Sequence, residues 1–162
     1  MRTASPSCTP SGRLATDGAP GRTLCETARV FQRDHKNEEI AERIDHLMTA
    51  VFLPDDEERL DAVTKHVAPD LVYVTPEAVY EGPQGLSEAF ARYRKESSWR
   101  TALRRTSPVD AHHGYFRFSW ERSERGTVAM QGWSFGSVDE RGAICRIVTF
   151  EGLVPGQPGG RS

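Results

Sequence analysis

"HHGYFRFSWERSERGTVAMQGWSFGSVDERGAICRIVTFEG", His112 to Gly152, is the stretch on which the fold turns. Tyr, Phe, Trp, Val, Ile and Thr crowd it, and these residues fit a pleated, half-buried surface. Turn chemistry cuts it twice, at "SERG" (Ser123 to Gly126) and at "DERG" (Asp139 to Gly142). The pieces left, 113–121, 128–136 and 144–151, read as three strands of an antiparallel meander. The last piece ends "IVTFEG", which runs a strand signal into a carboxylate, Glu151. A charged group there faces water or faces a site that uses it.

Upstream, the periodicity changes from two to that of a helix. In "NEEIAERIDHLMTAVF" Ile40, Ile44, Leu47, Met48 and Val51 recur at helical spacing, with Asn37 as N-cap and Pro54 as terminator. "DDEERLDAVTKHV" predicts a second helix, with acids in its first turn and Leu60, Val63 and Val67 on its apolar face. "LVYVT", Leu71 to Thr75, is a strand that stops at Pro76. Gly82 and Pro83 open a third helix with Leu86, Ala89, Phe90 and Tyr93 facing inward. A further strand signal, 99–105, precedes the meander. Helices segregated from an antiparallel sheet make an α+β fold. A curved sheet wrapped against three helices leaves an apolar pocket between the layers, and such pockets bind small molecules.

Composition narrows the classes. The 162 residues suit one domain, and 37% hydrophobic content allows a packed core. A net charge of −2 carries no basic surplus for nucleic acid. No apolar run approaches the roughly 20 residues of a membrane span. Three dispersed cysteines form neither a disulfide framework nor a metal-ligand spacing, so a cytoplasmic chain with reduced thiols is expected. Residues 1–22, rich in Gly, Pro, Ser, Thr and Ala, read as a disordered leader, and a transit peptide is the rival reading. Residues 23–36 read as a linker or extra helical turn, 37–153 as the folded domain and 154–162 as a disordered tail.

Three stretches together carry a family resemblance: "HVAPDLVYVTPEAVYEGPQGLSEAF", "HHGYFRFSWE" and "GWSFGSVDERGAICRIVTFEG". In order and spacing they resemble the nuclear transport factor 2-like superfamily, in its SnoaL-like and ketosteroid-isomerase-like branches. The resemblance covers about residues 37–153. It implies a cone-shaped sheet around a deep cavity, and a homodimer through the outer sheet face. Its members include isomerases, polyketide cyclases, epoxide hydrolases, dehydratases and proteins without catalysis, so fold alone does not give function.

Strand side chains alternate faces. In "YFRFSWE" the apolar set, Phe116, Phe118 and Trp120, is the natural cavity face, and the resemblance agrees. Matching the other strands to the family places Leu71, Tyr73 and Thr75, then Met130, Gly132 and Ser134, and finally Cys145, Ile147, Thr149 and Glu151 on that face. Phe90 joins them from the third helix. The family's general-base carboxylate precedes the proline of the first strand, and a second acid sits mid-way along the next-to-last strand. Here those places hold Thr75 and Ser134. An unperturbed hydroxyl does not abstract a carbon-bound proton near neutral pH.

Glu151 is then the acid or base expected from the pattern. Burial would raise its pKa, and hydroxyl hydrogen bonds would lower it. The alternative puts it at a frayed strand end in water. His46, near where the family presents an oxyanion-binding tyrosine, is a second catalytic candidate and would donate to a substrate carbonyl. The alternatives are a surface histidine, or Met48 in that place. Tyr73 would orient a ligand through its hydroxyl. "DAHHG", Asp110 to Gly114, invites a metal reading, but adjacent strand histidines point apart, so no metal is expected. Cys145 reads as a small buried hydrophobe.

Two classes of function follow. One is a cofactor-independent enzyme, an isomerase, cyclase or hydrolase, acting on a small apolar molecule with a carbonyl or hydroxyl; secondary metabolism is one setting. Its substrate-binding residues are Tyr73, Thr75, Phe90, Phe116, Phe118, Trp120, Met130, Ser134, Ile147 and Thr149. The other is a non-catalytic ligand-binding or accessory dimer.

Overall fold

The computed structural model describes residues 24–97 and 100–152, with side chains from Lys36 onward. The expected leader and tail lie outside the described residues. Three helices, α1 (Leu24–Ala50), α2 (Asp56–Thr64) and α3 (Gly82–Glu96), accompany seven strands. The strands are β1 (Val67–Val74), β2 (Val79–Glu81), β3 (Thr101–Arg105), β4 (Asp110–His112), β5 (Tyr115–Glu124), β6 (Thr127–Val138) and β7 (Ile144–Glu151). They form one curved, unclosed sheet in the order β2-β1-β7-β6-β5-β3, with β4 paired to β5.

The meander is as expected. β5, β6 and β7 pair antiparallel in sequence order. The turn between β5 and β6 is Arg125-Gly126, and that between β4 and β5 is His113-Gly114; all four residues have positive φ. Two-residue hairpin loops need that left-handed backbone, and glycine at the second place adopts it without a Cβ clash.

Four expectations are corrected. The sheet is mixed, because β1 runs parallel to β7, with Tyr73 beside Ile147 and Val74 beside Val148. That pair joins strands distant in sequence, and turn chemistry reports only on neighbours. The first helix begins at Leu24, so Asn37 lies inside it and is not its N-cap. The second helix is capped by Asp55, whose carboxylate accepts from Glu58 N at 2.8 Å, and it ends at Thr64, leaving Val67 to start β1. Lastly, Cys145 leaves the cavity face. Both partners of β7 shift register there, and its Sγ lies 3.2 Å from Ser137 Oγ. An extra residue in a ladder flips the alternation.

The core fills the space between helices and sheet. Ile40, Ile44 and Leu47 of α1, Leu86 of α3, Leu71, Phe116, Phe118, Ile144 and Ile147 are all buried there. One charged side chain is buried with them. Arg59 of α2 is 2% exposed; it donates to Leu53 O at 2.8 Å and Ser87 O at 3.1 Å, and it pairs with Asp56. It ties α2 to the end of α1 and to α3.

Candidate functional site

Alternation and register together lay the inner face out in rows across the strands. Phe118 pairs with Ser134 and Ser134 with Thr149; Trp120 pairs with Gly132 and Gly132 with Glu151. Below them runs Phe116, Gly136, Ile147 and Tyr73, and above them Arg122 faces Met130. Gly132 leaves space that Trp120 fills. A Cβ there would clash with both the indole and Phe150 O.

Over these rows, under α1 and α3, lies a cavity of about 290 Å³. This is at the small end of ligand pockets, roughly 300–1,000 Å³. Ile44, Leu47, Met48 and Val51 close it from α1 and its end, and Leu86, Ala89, Phe90 and Tyr93 from α3. The sheet contributes Tyr73, Thr75, Phe118, Trp120, Met130, Ser134, Ile147, Thr149 and Glu151. Every expected site residue except His46 and Phe116 therefore lines it.

The polar groups divide into those already engaged and those open to a ligand. Ser134 Oγ and Thr149 Oγ1 are 3.0 Å apart and hydrogen-bonded. Thr149 also hydrogen-bonds the Tyr73 hydroxyl, yet burial outweighs this and pushes the phenol up to about 12. Tyr73 stays a neutral phenol at ordinary pH. The Thr75 hydroxyl accepts from Ala78 N at 3.1 Å and donates to Ala78 O at 3.2 Å. It closes the turn between β1 and β2 and is committed to structure.

Glu151 takes both positions posed for it at once. Its residue is exposed at the rim, but its side chain also lines the cavity wall. The strand end is held, because Gly152 N donates to Gln131 O at 2.8 Å. Partial withdrawal from water raises the Glu151 pKa, the Glu77 charge raises it further, and Arg122 pulls it back. A carboxylate with a raised pKa is a better proton acceptor near neutrality. Glu77, Glu96, Arg92 and Tyr80 complete the mouth, where Arg92 pairs with Glu96 at 3.0 Å.

Two expected residues stand elsewhere. His46 is exposed on the outer side of α1 and stacks on His66, with ring centroids 4.8 Å apart. It is two residues past Ile44, which a helix turns well away from the buried stripe. Met48, with Ile44 and Leu47 of the same turn, lines the cavity instead. Phe116 is 3% exposed and packed in the core, stacked on Phe118 and lying against Gly136. At its Phe116 end that row is filled, while Ile147 and Tyr73 of the same row reach the cavity.

Six polar cavity residues were given no site role from sequence: Glu77, Tyr80, Arg92, Tyr93, Glu96 and Arg122. Arg122 is two residues beyond Trp120, so the same alternation reaches it. Tyr93 was on the inward stripe of α3. Glu77 is placed by a turn and a pairing that leave no local pattern. The Trp120 Nε1 is buried and lacks a hydrogen-bond partner among the described residues, while the Tyr93 hydroxyl is engaged by Arg122 and Ser97, and Arg122 pairs with Glu124 at 3.4 Å. The Arg122 guanidinium lies 6.0 Å from the Tyr93 ring centre, and Ser97 stands near that hydroxyl. Among the described residues no three His, Cys, Asp or Glu gather into a metal-ligand set, and no helix is long and apolar enough to cross a membrane.

No family model matches the chain, and no curated protein matches it. Solved structures do match. A protein from Agrobacterium tumefaciens strain C58, named as an isomerase of the SnoaL-like family, superposes with a TM-score of 0.65 at 24% identity, over 74% of this chain and 99% of its own. A protein from Sinorhizobium meliloti named as a polyketide cyclase gives 0.55 at 15% identity, over 70% of this chain and 98% of its own. An NTF2-like protein of unknown function from Exiguobacterium gives 0.52 at 12%, over 69% of this chain and 99% of its own. The chain has the nuclear transport factor 2-like fold, seen in proteins carrying SnoaL-like names.

Proposed function

We propose that the cavity binds a small, mostly apolar molecule bearing a carbonyl or hydroxyl, and that Glu151 moves a proton on it as general base or acid. One observation carries this reading: Glu151 stands on the wall of a mostly apolar cavity, with its pKa raised by desolvation and by Glu77. Aromatic and aliphatic walls take the ligand's apolar body. The Tyr73, Thr149 and Ser134 hydroxyls give it orientation. The isomerase and cyclase names of the fold neighbours agree with proton-transfer chemistry.

The test uses an enolisable ketone small enough for the cavity, 1-tetralone, in deuterated water. NMR follows deuterium entering the carbon beside the carbonyl. Glu151→Gln is expected to slow this exchange by about 10²- to 10⁴-fold, the usual contribution of a general base, while ketone binding survives. Unchanged exchange would remove Glu151 from the mechanism.

A second reading is a ligand-binding dimer without catalysis. The engagement of Thr75 and Ser134 in internal hydrogen bonds favours it, because neither is free to replace a carboxylate. Exchange no faster with wild-type protein than in buffer would favour this reading. Either way, a second copy of the chain is the proposed partner, seated on the outer sheet face where Phe135 and Phe150 are exposed.

A further inference from the structure

His112 and His113 stand where β4 turns into β5, and their Nδ1 atoms are 3.5 Å apart. Their rings lie edge to face, with centres 5.6 Å apart. Neighbouring residues of a strand send their side chains to opposite faces, which is why "DAHHG" predicts no shared metal. The strand, however, stops at His112. His113 takes a left-handed backbone, φ 52°, in the two-residue loop with Gly114. Alternation ends there, and the second imidazole comes back beside the first. The turn itself does not call for histidine. Asn-Gly and Asp-Gly are the usual loops of this kind.

The separation of the two nitrogens is informative. It is longer than the roughly 2.7–3.2 Å of a good N–H hydrogen bond. It is close to that of two ligands on one tetrahedral ion. Zinc holds imidazole nitrogens at about 2.0–2.1 Å, and the tetrahedral angle then sets them about 3.3–3.4 Å apart. Neighbouring corners of a square-planar ion at the same bond length would bring them to about 2.9 Å.

The hairpin that carries the pair is held. Val138 N donates to Gly114 O at 2.8 Å, and His112 is paired with Tyr115 across the ladder. Asp110, two residues before His112 on the same side of β4, is committed to Arg117 at 2.8 Å. Among the described residues no third His, Cys, Asp or Glu joins the two histidines in a ligand set. Both are exposed, so an ion reaches them without movement of the core. Neither lines the cavity.

We propose that His112 and His113 form a zinc site, a two-histidine clip that takes the ion through both Nδ1 atoms. Water or a donor from another molecule completes the shell. With two protein ligands the ion keeps open positions, unlike a closed four-ligand structural site, and it exchanges with solution. The site is separate from the cavity and independent of the chemistry proposed there.

The test titrates the tag-free, 15N-labelled full chain with zinc chloride and follows the histidine ring nitrogens by NMR. The first equivalent is expected to move the Nδ1 signals of His112 and His113 together. Those signals are identified by their loss in His112→Gln and His113→Asn. Asparagine is at home in the left-handed place of this turn, so His113→Asn keeps the hairpin. Each substitution should weaken zinc binding at least tenfold by calorimetry. His46→Gln, which removes a histidine of the other stacked pair, should leave the affinity unchanged. No uptake at millimolar zinc overturns the proposal. So does an affinity that survives either His112→Gln or His113→Asn, or an equal loss in His46→Gln.

Discussion

Glu151 and Gly132 show how much one side chain, or its absence, settles in this molecule. The two are paired across β6 and β7, and Trp120 completes their row. Part of the raised Glu151 pKa comes from Glu77, a charge near the rim. A base with a raised pKa is protonated, and so silenced, at a higher pH than an ordinary carboxylate. The acid limb of any Glu151-dependent activity is therefore expected above the ordinary carboxyl range. In Glu77→Gln it should move down in pH, since one cause of the shift is gone; a pH–rate profile of ketone exchange reads this directly. At Gly132, any side chain meets the Phe150 carbonyl and the indole at once. Gly132→Ala is expected to cost about 1–3 kcal/mol, the usual range for overpacking, measured by chemical denaturation. The alternation of residues made Glu151 legible from sequence, and made Gly132 legible as inward-facing. Its role under Trp120 was not, because that contact needs the register of two strands.

Among the elements, α2 depends most on a group its sequence hides. "DDEERLDAVT" reads as a helix with an acid-rich start and an apolar face, and nothing in its pattern singles out Arg59. In the fold Arg59 is buried, with its donors on the carbonyls of Leu53 and Ser87. Arg59→Ala would leave those buried acceptors unpaired and a void beside them. At about 1–3 kcal/mol for each unsatisfied buried group, a loss of roughly 3 kcal/mol or more is expected, read as a lower denaturation midpoint. A loss under about 0.5 kcal/mol, the scale of an ordinary surface substitution, would show that the contacts contribute nothing. The hairpins behave oppositely. Arg125-Gly126 closes β5 onto β6 through local geometry alone, so "SERG" located it. His113-Gly114 shows the limit of that signal. "DAHHG" was legible as a turn, but β4 before it is only three residues long and carries no periodicity to read.

For the whole molecule, the two faces of the sheet have different work. The inner face meets helices and cavity. On the outer face, Phe135 and Phe150 are 43% and 56% exposed and stand edge to face at 5.9 Å, with Trp133 beside them half-buried. Large apolar groups clustered in water commonly mark an interface, and a second copy of the same face suits a twofold dimer. Sedimentation should report a dimer for the wild-type chain, and Phe135→Glu with Phe150→Glu should convert it to a folded monomer. A wild-type monomer at high concentration would exclude the pairing. By itself, the sequence determined the helices and the strands of the meander, and which residues of the meander share a face. Those properties follow from periods of 3.6 and two along a continuous chain. Only the tertiary structure decided that β1 runs parallel to β7 and that Glu77 stands near Glu151. Each of these joins residues remote in sequence, and no local period records where two distant segments meet.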